Sequence, residues 1–569
     1  MNNSIYISNF NECEPASALA ERWEDGCWRT VPYETSDGIT GTMLMTTTLI
    51  DAPPVSLPLN LKGWYRIYLG LGCPTLDAST SASVKVRLTD DPCYSVFQVT
   101  GRYWWMEFQE IYWRETDLTG QTLQIAKPKG MHNGGPMQIQ SYISYLRLEP
   151  LSDEEVEAIQ KRRSEPTDFN IIGTEDGWSV VAIDNQTTLE ELYEPIFPYK
   201  DSDVRTILYN AAAGDYVNYP DTKVGTAAWI NDRPIYSRPL DKAWDQSMEE
   251  LRANHIDPVG ALCDFTHSLG LEFHGTVRVG SFACEPPMDE SFKTDFYNAH
   301  PEFRCKDIDG REIPRLSYAF PEVQQHMLDL YCEIAERNID GFGWIYIRSL
   351  PVILYEDPLI DGFMQKYGED PRELPEDDER VIKYRADIFT EFIRKAETTL
   401  NELRIKQGRV PLKYSAIVPA TKMVNQLGGL DLQTWVDEGL IDILAVDFSI
   451  QDRNALHNEA PENMELDYFQ EIVEGSKCVL APRLAYFENE RGAQMINSLD
   501  NRGIHNGLIW DTAGCFRYAP HVWPMVKQFG SRETVSAWAA KSTKPERVIK
   551  SLKMLGGFTM DRFPGNLAY

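Results

Sequence analysis

From Gly177 onward the chain alternates short apolar runs with amphipathic helical patterns, and that alternation restricts the fold more than any other feature. Eight runs have strand length and branched or aromatic content: WSVVAID (178–184), VRTILYNA (204–211), LEFHGTVRV (271–279), FGWIYI (342–347), KYSAIVP (413–419), IDILAVDF (441–448), CVLAPRLAYF (478–487) and GLIWD (507–511). Helical patterns separate them. Thr187 with Glu190 starts one, Pro321 starts another with Val323, Met327, Leu330 and Ile334 on one face, and Ile388, Phe389, Phe392, Ile393 and Ala396 stripe a third. Strands joined through helices lie parallel, because a parallel pair needs a long crossover. Eight such units over about 350 residues predict a (β/α)8 TIM barrel. A doubly wound sheet would want a glycine-rich turn after its first strand, and the sequence has none there.

The first 150 residues have a different texture. Between about Trp23 and Glu149, strands such as LKGWYRIYLGLG, SASVKVRLTD and YWWMEFQEIYW are broken by turn residues. Val84, Val86 and Leu88 alternate with Ser83, Lys85 and Arg87, which predicts one buried and one wet face. The fold class expected is therefore multidomain, an N-terminal all-β sandwich (1–150), carbohydrate-binding-like or structural, followed by an α/β barrel (171–530). Residues 151–170 read as a helical linker opened by a capping box, Ser152 with Glu155. Residues 531–569 read as a C-terminal helix and strand extension, returning to the sandwich or packing below the barrel. Asp90 and Asp91 after Thr89 suit a hairpin turn better than a calcium site, since no companion ligand is spaced for one.

Composition narrows the partners. A formal net charge of −31 opposes phosphate backbones and anionic membranes at long range, so neither nucleic acid nor a membrane is expected as a partner. No apolar run approaches the roughly 20 residues that span a bilayer. The ten cysteines are dispersed without a CxxC pair, and the nine histidines are scattered, so no metal and no cofactor is expected. The N-terminus lacks a basic segment before an apolar core. The compartment stays open between the cytoplasm and, with an export signal removed, the periplasm or exterior. A homo-oligomer also stays open.

In a barrel of this class the residues at the C-terminal ends of the strands converge on one pocket. The runs place there Asp184, Asn210, His274 and Arg278, Tyr346 and Arg348, Asp447, Arg483 with Tyr486 and Glu488, and Asp511 after Trp510. The loop after the fourth run adds Tyr355 and Glu356. So polar a rim suits a hydroxyl-rich ligand, and glycosidic cleavage needs two carboxyl groups facing each other. Asp511, Asp447 and Glu356 are the candidate catalytic acids. Each has a plainer reading: Asp511 a salt bridge to a rim arginine, Glu356 a loop cap. His274, Arg278, Tyr346, Arg348, Asn210, Arg483, Tyr355 and Trp510 are candidate substrate contacts. Arg278, Arg348 and Arg483 either converge on a carboxylate or sulfate of the ligand or each pair with a neighbouring acid.

Gly270, Glu272 and His274 in LGLEFHGTVRVG, with Asp340 and Gly341 in NIDGFGWIYIR, resemble the strand motifs of glycoside hydrolase family ten-like barrel proteins. The segment YGEDPRELPEDDERVIKYRADIFTEFIRKA is similar to members of that group from polysaccharide-degrading bacteria. The resemblance covers roughly 200 to 520 plus the leading sandwich. It implies a TIM barrel with an N-terminal sandwich and a glycoside hydrolase that cleaves the O-glycosyl bonds of a complex poly- or oligosaccharide, anionic if the arginines bind it. There is one departure: Ile345 stands where amylase-like relatives carry an acid in DGxxxD, and SAIVPAT lacks their next glutamate. The alternative is a carbohydrate-binding protein without catalysis on the same scaffold. A metal-dependent hydrolase or lyase comes last.

Overall fold

The computed structural model of the protein describes residues 4–72, 82–99, 107–129, 140–227, 236, 239–280, 292–348, 350–449, 452, 463–484, 489–511, 516, 520–541 and 548–553. Eight parallel strands organise the larger part: β1 (Asn170–Glu175), β2 (Val204–Ala213), β3 (Glu272–Arg278), β4 (Gly341–Ile345), β5 (Lys413–Pro419), β6 (Ile443–Asp447), β7 (Val479–Pro482) and β8 (Asn506–Ile509). Each pairs in parallel with the next from β1 to β7. β8 pairs in parallel with β1, and Arg483, one residue past β7, bridges to Leu508 of β8. The strands therefore form a closed ring, which leaves no unpaired edge among them.

The register sorts side chains into inner and outer faces. Arg278, Ile345, Ile417, Ala445 and Ala481 are neighbours across successive strands, and so are Thr276, Gly343, Ser415 and Ile443 one layer below. Ile172, Leu208, Ile345, Ile417, Ala445 and Leu508 form an apolar cluster of their own, separate from the larger core, and this is the packing inside the ring. β4 carries glycine at Gly341 because a Cβ there would lie 2.5 Å from the His274 ring. The outer faces, with Phe342, Trp344 and Tyr414, pack against surrounding helices such as Pro321–Ala335 and Glu379–Lys406.

One strand differs from the sequence reading. The run at 178–184 is not a strand; Ser179–Asp184 is a helix, and β1 is the preceding segment from Asn170. Asp176 decides this, since its Oδ1 accepts the N–H groups of Trp178 (2.9 Å) and Ser179 (2.8 Å), while Gly177 turns the chain at φ +68°. Asp184 is consequently not at a strand end: it is buried at the end of that helix, beside Lys85.

The N-terminal part consists of two mostly antiparallel sheets. One orders the strands Ile5–Ile7, Tyr145–Pro150, Trp64–Gly72 and Glu107–Asp117, and Val548–Ser551 from the C-terminal tail pairs antiparallel with the last of these. The other runs from Leu19–Ala20 through Trp28–Glu34, Thr40–Thr47, Gln140–Ile143, Ala82–Leu88 and Thr122–Ala126 to Val55–Pro58. Val84, Val86 and Leu88 are buried as the alternation predicts, but the opposite face is not wet. Ser83 and Lys85 are buried too, because that face meets the segment between β1 and β2. Lys85 Nζ donates to both Glu194 oxygens at 2.8 Å, and Arg87 pairs with Glu190 at 2.6 Å. A second buried link joins Lys527 to Glu115 at 3.0 Å and to the Tyr112 hydroxyl. The connecting helix, Asp153–Ser164, has both hydrogen bonds of the Ser152–Glu155 capping box. Asp91 closes its hairpin turn by accepting from Leu88 N–H at 2.8 Å and pairing with Arg114.

The Lys85–Glu194 pair yields a stability prediction. Glu194→Ala takes from the buried Lys85 ammonium the carboxylate hydrogen-bonded to it, with the charges of Asp184 and Glu191 still nearby, and should destabilise the protein by about 3 kcal/mol in denaturant melts, whereas the double change Lys85→Met with Glu194→Leu should cost less. Equal losses in both variants would show that packing, not charge balance, holds this contact.

Candidate active site

β8 ends abruptly, with Trp510 and Asp511 in a turn directly after it. Asp511 adopts a left-handed backbone, φ +49°, uncommon for a residue with a Cβ. It is held there by its own N–H, which donates to Thr174 Oγ1 of β1 at 2.9 Å. Its Oδ1 is buried and accepts no hydrogen bond from the described residues. Burial pushes the carboxyl up to about 7; the nearby charge of Asp176 adds to this, Arg278 and Arg348 oppose it, and Asp447 adds to it again. These four side chains therefore lie within electrostatic reach of Asp511, so the mouth of the ring gathers residues from the ends of β1, β3, β4, β6 and β8.

Asp447, the last residue of β6, is fully buried. Its Oδ1 accepts from Arg483 Nη1 at 2.8 Å and from Phe448 N–H at 2.7 Å, so it is paired with a guanidinium. Arg278, at the end of β3, is half-buried, and its Nε donates to nothing among the described residues. Of the two readings of the arginines, Arg483 thus follows the pairing one. Arg278 keeps donor capacity for a ligand, and Arg348 faces Asp511 electrostatically. Asn210 of β2 is buried, donating through Nδ2 to the Asp176 carbonyl at 3.2 Å while its Oδ1 accepts nothing from the described residues. Trp510 is partly exposed and packs on the apolar cluster inside the ring, at its mouth.

Four predicted site residues sit elsewhere. Glu356 is fully buried at the start of the helix Asp357–Tyr367, accepting from Leu354 N–H (3.0 Å) and Lys306 N–H (3.2 Å). It clamps its loop to the strand Arg304–Lys306, the capping role that the sequence also allowed, and is not a rim acid. Tyr355 lies beside it under the Arg385 guanidinium. Tyr346 follows β4 on the outer face, buried against Phe389 and Trp435, so it cannot touch a ligand at the mouth. His274 points into the ring but is fully buried below the mouth, against Gly341. Tyr486 and Glu488 lie outside the described residues. Sequence reasoning missed Asp176; its signal was an acid followed by glycine directly after the short apolar run of β1, a run too brief to be taken for a strand.

No protein-family model and no curated protein matches the chain. Among solved structures it is similar to the glycoside hydrolase domain of PgaB (BpsB) from Bordetella bronchiseptica, at 12% identity over 63% of this chain and 99% of that one, with a TM-score of 0.44. It is also similar to the catalytic domain of β-amylase from Paenibacillus polymyxa, at 10% identity over 67% and 100% of the two chains, TM-score 0.42. A ruminal GH26 endo-β-1,4-mannanase aligns at 10% identity over 93% and 96%, TM-score 0.31. All three are glycoside hydrolases, and at these scores none transfers residue roles to this chain.

Two measurements check the site. Because folding raises the Asp511 carboxyl from the ordinary aspartate range near 4 to about 7, its contribution favours the folded state at low pH and is lost as pH rises through 7. Asp511→Asn should therefore melt like wild type below about pH 4 and gain on it up to about pH 7, by about 2 kcal/mol at most for a partly exposed side chain. Glu356→Gln swaps an acceptor for a donor facing backbone N–H groups and should cost about 1–3 kcal/mol of stability at every pH above its titration, with any ligand affinity of the folded fraction unchanged.

Proposed function

We propose that the protein is a glycoside hydrolase in which Asp511 is the general acid and Asp447 the second carboxylate, acting on a complex poly- or oligosaccharide that carries carboxylate or sulfate groups. The observation that supports this best is Asp511 itself, a carboxyl raised to about 7 at a strand end, within reach of a second acid that is paired with an arginine. Glycosidic cleavage uses such a division, one carboxyl that still holds its proton near neutrality and one that is ionised. Asp511 would protonate the leaving oxygen. Asp447, with its charge anchored by Arg483, would act as base or nucleophile on the other side of the bond. Trp510 offers a ring face for a sugar, and Asn210 Oδ1 an acceptor for a hydroxyl. Arg278 and Arg348, within electrostatic reach of Asp511 in a chain whose net charge is −31, favour an anionic group near the bond.

The narrower kinship, with family ten-like barrel proteins from polysaccharide-degrading bacteria, belongs to the same proposal and rests on the motifs at 270–274 and 340–341. The second reading, sugar binding without cleavage, is favoured by Ile345, which is buried inside the ring where an amylase-like acid would stand.

The test is incubation with neutral, uronic and sulfated glycans, with and without chelator, reading released sugars by mass. Release of a defined product from an anionic glycan, indifferent to chelator, is expected. Its kcat/KM should fall as pH rises above about 7, and Asp511→Asn should lower it by about 10²–10⁴-fold. Thermal stabilisation by a glycan without any product would favour the binding protein, and full activity in Asp511→Asn would overturn the assignment of the acid.

A further inference from the structure

At the end of the ring opposite the mouth, a thiol and two carboxylates gather around one imidazole. Cys263, Asp264 and His267 belong to the helix Pro258–Ser268, which lies between β2 and β3 in the chain. Cys263 and His267 are four residues apart and so share one face of that helix, with Asp264 three residues before His267. The Cys263 Sγ, a ring nitrogen of His267 and a carboxylate oxygen of Asp264 all lie within 4.8 Å of one another. His267 Nε2 is 4.0 Å from that sulfur and 2.7 Å from Asp340 Oδ2. Asp340 stands directly before β4, and its Oδ2 also accepts the Phe273 N–H of β3 at 2.8 Å. Cys263 is buried, His267 and Asp340 are partly exposed and Asp264 is exposed. The sulfur is thus shielded while the cluster stays open to solvent on one side.

A surface ion pair accounts for the His267–Asp340 contact, but it calls for neither the sulfur nor Asp264 beside the same ring. Sulfur, imidazole and carboxylate together are the donor set of zinc-class ions, whereas calcium and magnesium take oxygen ligands. Ligand atoms of a tetrahedral zinc ion stand about 3.3–3.6 Å apart, so the three donors close onto an ion through side-chain shifts of roughly 1 Å. A metal-bound histidine gives its other ring N–H to a carboxylate, and Asp340, anchored by β3, is placed for that. The sequence shows no such site because its spacing is that of one helical turn, with Asp340 73 residues further on. We propose that Cys263, Asp264 and His267 bind a divalent ion of the zinc class, with water as the fourth ligand and Asp340 orienting the imidazole. On binding, the thiol passes its proton to solvent and the sulfur ligates as thiolate. The ion would tie the helix to the starts of β3 and β4 and stabilise the folded chain, independently of the reaction assigned to Asp511.

The experiment is titration of the full chain, stripped with a chelating resin, with Co²⁺ while absorption is read. The wild type should develop a saturable thiolate-to-cobalt charge-transfer band with the visible bands of a tetrahedral ion, and added Zn²⁺ should remove both. Cys263→Ser should lose the charge-transfer band, and Asp264→Asn, at an exposed position, should need several-fold more Co²⁺. Asp340→Asn, which acts through His267, should weaken binding by about 10–100-fold. A wild type without the charge-transfer band, or the same band in Cys263→Ser, would overturn the site. Should Cys263→Ser fail to fold, the two aspartate variants decide: weaker Co²⁺ binding in both supports the proposal, and unchanged affinity in either overturns it.

Discussion

The closure of eight parallel strands between β7 and β8 is the constraint on which the site depends. β7 and β8 are joined past the end of β7, where Arg483 N–H donates to Val446 O of β6 at 2.9 Å and Leu484 N–H to Leu508 O of β8 at 2.7 Å. Arg483 is thus a backbone link in the ring and a side-chain partner of Asp447 at once. Its backbone, held to β6 and β8, keeps the guanidinium within reach of Asp447 and brings β8, and with it Trp510 and Asp511, to the mouth. Placing β8 beside β1 also supplies Thr174, whose hydroxyl fixes the Asp511 backbone. One seam therefore sets the positions of both candidate carboxylates.

Around the ring, the N-terminal sheets and the C-terminal tail are fastened by buried polar contacts. Lys85–Glu194 and Lys527–Glu115–Tyr112 are directional where an apolar face would slide, so each fixes one orientation at a cost in desolvation. The chain crosses between the two parts more than once: the helix Asp153–Ser164 leads out of the N-terminal sheets, and Val548–Ser551 returns to pair with Glu107–Asp117. The tail closes the topology, so the ring's last helix and the first sheets are tied by main-chain hydrogen bonds as well as by charge.

Much of the fold was legible because long runs of branched residues leave few choices. The strands from VRTILYNA to GLIWD lie where period and length place them, and Val323, Met327, Leu330 and Ile334 are buried on one face of their helix. The failures have physical causes. Ser179–Asp184 looked like a strand because a four-residue apolar run fits either structure, and a capping side chain from outside the run, Asp176, decided for the helix. Lys85 looked solvated because alternation reports two faces and cannot say that a second layer covers the polar one. At the site, Asp447, Asp511, Arg278 and Arg483 were legible from strand ends. Tyr346 and His274 were not, since parity within a strand decides between inner and outer faces and depth decides between mouth and interior. Glu356 was ambiguous for a further reason: a loop acid can serve chemistry or its own backbone, and the N–H groups of Leu354 and Lys306 that it accepts from are brought to it by the tertiary fold.

The cost concentrated at Asp511 is an argument in its own right. Its backbone occupies the left-handed region, which a glycine would adopt freely, and its carboxyl is buried among two other acids. Asparagine would keep the same turn, tolerate the same φ and shed the charge that burial penalises. A purely structural role would be met by either replacement with less strain and less desolvation. The proposed role as general acid would give an ionisable group there a use, at the mouth of the ring beside Trp510 and above the apolar layer of Ile345 and Ile417.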